Sequence, residues 1–314
     1  MTDMTVSRPG QANGAGATDA LFLKVFPGEI LKSFNTNNIM MNLHMVRSIA
    51  SGKTAQFPAI GTATASYHVP GTEILGQSIL GNEKTISIDS LLTAPVFVAN
   101  IDEAMSHFDF RGEYANQLGE ALALKADKQL LQVAVLNARA AATLTGGNGG
   151  SALTNASAAT DGDVLAGMIF NAAQVFDEKN VPQSDRNVIV KPAQYYLLVQ
   201  NVKTINRDWG GAGVYSDGTI YRVAGVGIQK SNNVPSTNIA SAETGVSANN
   251  TYHGDFSKTV AVAMQKSAIG TVKLLDLAVE KEYSVRHQGT TIIAKYAMGH
   301  GGLRPECGVE IATP

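Results

Sequence analysis

The chain is 314 residues long with a formal net charge of −2, and only 16% of its residues are charged against 44% hydrophobic. That balance excludes an affinity built on neutralising nucleic-acid phosphates, which needs clustered Lys and Arg. The sparse charge points instead to a surface covered in large part by neighbouring subunits.

A chain of this size buries roughly 75% of its unfolded surface and builds a proper core as one large domain or two. One cysteine, Cys307, excludes an intrachain disulfide and reads as a small packing residue of a protein from a reducing compartment. No apolar run approaches the ~18 residues of a membrane span, and the first residues lack the apolar core of a signal peptide. A soluble protein made in the cytoplasm is expected.

Residues 1–19, rich in Gly, Ala, Thr and Asn, read as a mobile arm. Residues 20–38 carry apolar positions at spacings of three and four, broken at Pro27-Gly28, and predict short helical pieces. Residues 54–92 alternate at both ends around a turn-rich middle, which predicts two strands with a long connection. This hairpin has few large apolar residues and is marginal alone, so it is expected to lie on another surface such as a neighbouring subunit. Residues 101–141 hold the longest helical signal, with Asp102 and Glu103 where the helix dipole favours anions. A helix over about 110–140 is roughly 45 Å long, enough for a spine.

A low-complexity loop at 143–162 marks a domain boundary. Beyond it the pattern predicts a helix over 162–180 capped by Asp161 or Asp163, a buried strand in "NVIVKP", and a helix in "AQYYLLVQN". A strand–turn–strand follows around Gly225, then a loop at 236–250 and an apolar strand in "KTVAVAMQ". This block reads as an α/β or α+β layer. The last fifty residues predict three or four strands. Within them "EKEYSVRHQ" alternates charge along a strand, as a solvated face or a salt-bridged subunit contact.

Little chemistry is encoded. Gly52-Lys53-Thr54 ends like a phosphate-binding loop, but the first glycine of that motif is replaced by Arg47, and an extended segment follows where a helix is required. A P-loop-like nucleotide-binding protein therefore stands as the alternative, beside a tail or fibrous structural protein. No zinc, EF-hand or G-x-S-x-G pattern occurs, the six histidines share no ligand spacing, and "GHGG" at 299–302 reads as a tight turn. No catalytic residue, cofactor or metal is expected.

Four stretches together carry a resemblance: "LFLKVFPGEIL" (21–31), "HMVRSIASGKTAQFPAIG" (44–61), "YANQLGEALALKADKQLL" (114–131), and "SAIGTVKLLDLAVE" with "IIAKYAMGHGGLRPE" (267–306). They resemble the major capsid proteins of T-seven-like short-tailed phages (podoviruses). The resemblance implies an α+β, HK97-like capsid fold: an N-terminal arm (1–50), an extended loop (51–93), a peripheral domain from 94–142 and 266–314 with a spine helix, and an axial domain (143–265). It further implies self-assembly into pentamers and hexamers of an icosahedral head around double-stranded DNA. The implied partners are copies of itself, a scaffolding protein, a portal protein and packaged DNA by non-specific contact, with no membrane, and the shell expands on packaging. Charge is scarce in this chain but concentrated at Arg47, Lys53 and Glu73 around the hairpin and at Glu280, Arg286, Arg304 and Glu306 near the end, which makes these the candidate intersubunit contacts.

Overall fold

A computed structural model describes residues 38–105, 110–201, 222–241 and 252–314. Residues 1–19, expected as a mobile arm, nearly all of the stretch 20–38, expected as helical pieces, and most of the loop expected at 236–250 lie outside the described residues. The chain divides into two compact units, one holding Ser90–Ala126 and Leu275–Met298, the other Asn37–Asp89, Asp127–Leu274 and Gly299–Pro314.

The larger unit is built on a six-stranded sheet. Its strands are β5 (Ser151–Thr154), β6 (Arg186–Val190), β7 (Arg222–Val223), β8 (Val226–Lys230), β11 (Thr259–Gln265) and β14 (Gly308–Ala312), in the order β5-β14-β11-β6-β8-β7. β11 runs antiparallel to both β14 and β6. All seven of its residues are buried, so "TVAVAMQ" is apolar or small up to its last residue, Gln265, instead of alternating. β5 falls inside the stretch expected to be only a loop. It pairs parallel to β14, Val309 with Ser151 through Ala312 with Thr154, a partner more than 150 residues away that local composition does not reveal. Ala224 and Gly225, both at positive φ, turn β7 into β8, as the glycine there predicts.

Helices α3 (Gly162–Glu178) and α4 (Pro192–Gln200) pack with this sheet. α3 starts where Asp161 accepts hydrogen bonds from the backbone N–H groups of Asp163 (2.8 Å) and Val164 (3.5 Å). Leu165, Met168, Ile169, Ala172 and Phe176 form its buried stripe. α4 opens on Pro192, whose missing N–H costs nothing in the first turn. Leu130, Leu131 and Val135, from the C-terminal part of the long helix α2 (Phe110–Ala138), join the same core. With 29 residues α2 is about 43 Å long, close to the expected spine. The shorter α1 (Asn100–Met105) precedes it, and residues 106–109 lie outside the described residues.

The same unit carries a two-stranded ribbon, β2 (Thr54–Ile60) against β3 (Gly81–Ser87), registered from Thr54–Ser87 to Ile60–Gly81. β1 (Met45–Ser48) lies parallel to Gly270–Lys273, near the start of the long strand β12 (Ile269–Ser284). β9 (Asn238–Ile239) and β10 (Gly254–Asp255) make a small pair.

In the smaller unit β4 (Leu92–Ala99) pairs antiparallel with β13 (Gly289–Gly302), Tyr296 opposite Leu92 and Gly289 opposite Ala99. Leu122 and Ala126 of α2 bury against Ala294, Tyr296 and Met298 of β13. Charge alternation in "EKEYSVRHQ" was expected along a strand, but the strand ends at Ser284 and residues 285–288 form the turn into β13, with Gln288 at φ 50°.

"GHGG" is likewise not a turn. Gly299 to Gly302 are the last four residues of β13. Their glycines serve close packing: a Cβ on Gly301 would meet Ile86 Cγ1 at 2.9 Å, and one on Gly299 would overlap the backbone of Ser87.

Candidate functional site

The ribbon and the loop at its end form the most exposed apolar feature among the described residues. Residues 61–80 leave the ribbon without entering a strand. Gln77 closes the neck: its Oε1 accepts from the Thr64 N–H (3.1 Å) and hydroxyl (2.8 Å), while its Nε2 donates to the Thr64 carbonyl (2.5 Å). Farther out, Val69-Pro70-Gly71-Thr72 makes a turn with Thr72 N–H on the Val69 carbonyl at 3.2 Å and Gly71 at φ 90°. Proline followed by glycine at positive φ is the type II pattern. The loop is thus locally shaped, yet its large side chains find no core. Tyr67 is fully exposed, Ile74 and Leu75 are each 79% exposed, and Ile60, Val69, Ile79 and Leu80 all face solvent. An apolar patch of this kind on a shaped loop marks a protein contact.

At the foot of the loop lies a cleft of about 420 Å³, bounded by Ile60 and Leu80, by the 143–148 loop, and by Leu303, Arg304 and Glu306. Asn82 donates to the Thr143 carbonyl at 2.6 Å and joins the ribbon to the 143–148 loop.

The seven candidate contact residues fall into different settings. Arg304 and Glu306 meet at the cleft, with Arg304 exposed and Glu306 half-buried. Glu73 is exposed beyond the Val69–Thr72 turn. Arg47, on β1, donates to the Gln56 carbonyl (3.3 Å) and lies over the Phe57 ring at 5.6 Å, so it braces the ribbon of its own chain. Lys53 is exposed, and its carbonyl accepts from Ile88 N–H at 2.8 Å. Glu280 forms an ion pair with Lys295 at 2.7 Å across β12 and β13. Arg286 is exposed in the turn between those strands.

The phosphate-loop alternative fails on geometry. Gly52 sits at φ 112°, and Thr54 opens strand β2 instead of a helix, so no helix N-terminus gathers N–H groups for phosphate.

Several buried polar residues escaped the sequence reading. Asp127, fully buried on α2, accepts from the N–H groups of Ile39 (3.0 Å) and Met40 (2.8 Å) through Oδ1 and from Asn233 Nδ2 (2.6 Å) through Oδ2. The one available signal was an aspartate set among the leucines and alanines of a broad apolar face. Arg139 grips buried Glu310, and His44 and His300 meet through Thr271. Nothing in their local sequence pairs residues that far apart.

A family model described as Gp10A-like major capsid protein matches residues 56–312. The major capsid protein of Enterobacteria phage T3 is 36% identical over 330 aligned positions, covering 97% of this chain and 95% of the relative. That of Escherichia phage T7 is 35% identical, covering 93% and 91%. The solved capsid structure of cyanophage P-SCSP1u superposes with a TM-score of 0.86 at 41% identity, covering 100% of this chain and 99% of that one. With an α+β architecture of the HK97-like capsid type and a shaped apolar loop facing outward, the chain belongs to the Gp10A-like family of phage major capsid proteins.

Proposed function

We propose that this major capsid protein, a structural and non-enzymatic component of the phage virion, closes with its own copies into pentamers and hexamers of an icosahedral shell around double-stranded DNA. A scaffolding protein guides closure, a portal protein occupies one vertex, and the shell expands as it fills. The observation that carries this reading is the loop at 61–80: a turn-shaped segment that exposes Tyr67, Ile74 and Leu75 gains stability only against another surface, and a second copy supplies one at every lattice position. The net charge of −2 supports contact with DNA that is non-specific and enforced by packaging instead of by attraction.

In this reading residues 1–50 are the arm, 51–93 the extended loop, 94–142 and 266–314 the peripheral domain, and 143–265 the axial domain. Lys53, Glu73, Arg286, Arg304 and Glu306 are the charges offered to neighbours. Arg47 and Glu280 act indirectly, by holding the ribbon and the β12–β13 pair in shape.

The test is co-expression with the scaffolding protein of the same phage, followed by electron microscopy. The unchanged chain yields uniform closed shells. An Ile74→Ser, Leu75→Ser double variant yields a soluble subunit with an unchanged melting temperature and no shells. Closed shells from the variant at normal yield would sink the reading.

A further inference from the structure

A buried hydrogen-bonded chain runs from the segment that leads into the ribbon to the end of β13. His44 Nδ1 lies 2.6 Å from the Met40 carbonyl, His44 Nε2 lies 2.7 Å from the Thr271 hydroxyl, and that hydroxyl lies 2.8 Å from His300 Nδ1. All three side chains are buried: His44 is 2% exposed, Thr271 0% and His300 5%.

The carbonyl fixes the sense of the chain. A carbonyl only accepts, so His44 carries its proton on Nδ1 and leaves Nε2 as an acceptor. Thr271 then donates to His44 and accepts from His300, whose proton is also on Nδ1. His300 Nε2 is left as a buried lone pair with no hydrogen-bond partner. The Thr271 bond to His44 requires a neutral His44, and His300 Nε2 is buried where a second proton has no acceptor. A proton added to His300 places an N–H where nothing accepts it, and one added to His44 turns the Thr271 hydroxyl toward His300 Nδ1 and moves the His300 proton to the same unpartnered Nε2.

We infer that His44, Thr271 and His300 form an acid-released clamp on residues 39–48, the segment that leads into the ribbon and its apolar loop. The clamp acts beside the β1 pairing and the burial of Met40 in the larger core. Asp127 holds the Ile39 and Met40 N–H groups at the beginning of that segment, and the histidine chain holds the segment where it enters β1 and pairs with Gly270–Lys273.

The surroundings oppose protonation. His300 faces the Tyr252 ring at 5.8 Å between centroids, and the Tyr252 hydroxyl accepts the His300 backbone N–H (2.9 Å) and donates to Asp89 (2.6 Å). Burial, with His44 beside it, pushes the His300 imidazole down to about 3. Burial is also the main cause that lowers His44. Lys273 and Lys266 add to that effect, and the Met40 carbonyl and Asp127 act against it.

The sign follows. A histidine lowered in the clamp and ordinary when released takes up a proton on release, so the clamp is intact above about pH 6.5 and weakens as pH falls below it. For His300 alone, titrating near 3 when clamped and near ~6.5 when free, the released fraction rises about 25-fold between pH 7 and pH 5.

This inference concerns one folded chain and does not depend on shell closure. Hydrogen–deuterium exchange of the full chain at pH 7 and pH 5, corrected for intrinsic exchange, tests it. Peptides covering 43–48 and 269–273 lose protection about 25-fold at pH 5 in the unchanged protein and hold it in a His44→Gln, His300→Gln variant, because glutamine keeps a hydrogen bond without taking a charge. Equal loss in both proteins, or none in the unchanged one, overturns the proposal. Should the variant not fold, exchange at the histidine C2–H of the unchanged protein decides: a His300 that titrates near 6.5 while 43–48 stays protected also overturns it.

Discussion

Arg139 holds Glu310 in a two-point grip, Nε to Oε2 and Nη2 to Oε1, each at 2.6 Å, with the carboxylate 2% exposed. Thr259 adds a third hydrogen bond to Oε1 at 2.7 Å, and the Arg139 Nη1 donates to the Asp255 carbonyl at 2.6 Å. One guanidinium thereby joins the end of α2 to β14, β11 and β10. The hydrogen bonds to Glu310 are the main cause that raises the arginine further above its ordinary range.

Arg139→Leu leaves the Glu310 charge buried with one neutral donor. Removing a partner of a buried pair costs roughly 3–5 kcal/mol. The value here lies toward the low end, because Arg139 is itself 33% exposed and water reaches the gap. The urea midpoint of the Arg139→Leu chain falls accordingly, and the Arg139→Leu, Glu310→Leu double variant recovers part of the loss. A single variant as stable as the parent contradicts the assignment.

Gly299→Ala tests the close approach of β13 to the end of β3. Its Cβ would overlap the Ser87 carbonyl oxygen and lie 2.8 Å from Ser87 C and 2.9 Å from Ile88 Cα, all backbone atoms that move only with their strand. Overpacking of this kind costs about 3 kcal/mol. Gly76→Ala, with nothing within 4 Å of the added atom, stays within about 0.5 kcal/mol of the parent. Thermal melts of the two variants separate a steric role from a general dislike of losing glycine.

Asp161 caps α3 through the N–H groups of Asp163 and Val164. Asp161→Ala lowers stability by about 1 kcal/mol, and Asp161→Asn, which keeps the acceptor, recovers most of it. Equal loss in both variants would assign the effect to the aspartate charge at the helix N-terminus instead of to the hydrogen bond.

The cap and stripe of α3 were legible because each element states its own case locally: an aspartate before a 3.6-residue apolar period. The apolar run of β11 and the Ala224–Gly225 turn were legible for the same reason. Elements defined by a distant partner were not. β5 is a strand only because β14 lies beside it, and the same Gly-rich composition suits a loop. The glycines of "GHGG" were read through φ, whereas their role is to admit Ile86 and Ser87. The hairpin's weak core was visible in the sequence, and so was the scarcity of charge. That Glu280 pairs within its own chain while Arg304 and Glu306 share a cleft required coordinates, since a charge on a strand looks the same whether its partner is near or absent. The Asp127 and His44–Thr271–His300 connections are long-range and polar, so no periodicity announces them.

Asp89 offers a further test by pH. Its side chain accepts from the Tyr252 hydroxyl at 2.6 Å, and burial raises its carboxyl above the usual carboxylate range, more than that hydrogen bond lowers it. A carboxyl raised in the folded state favours folding when protonated. Its contribution is therefore fully present below the unfolded value near ~3.9 and is lost as pH rises through the folded value. At pH 7 the buried charge is a net cost. Asp89→Asn removes the charge and retains an acceptor for Tyr252, so it raises the urea midpoint at pH 7 and leaves it unchanged near pH 3, where the aspartate is already neutral in both states. A midpoint that falls at pH 7 would show that the carboxylate charge itself strengthens the bond to Tyr252 by more than burial penalises it.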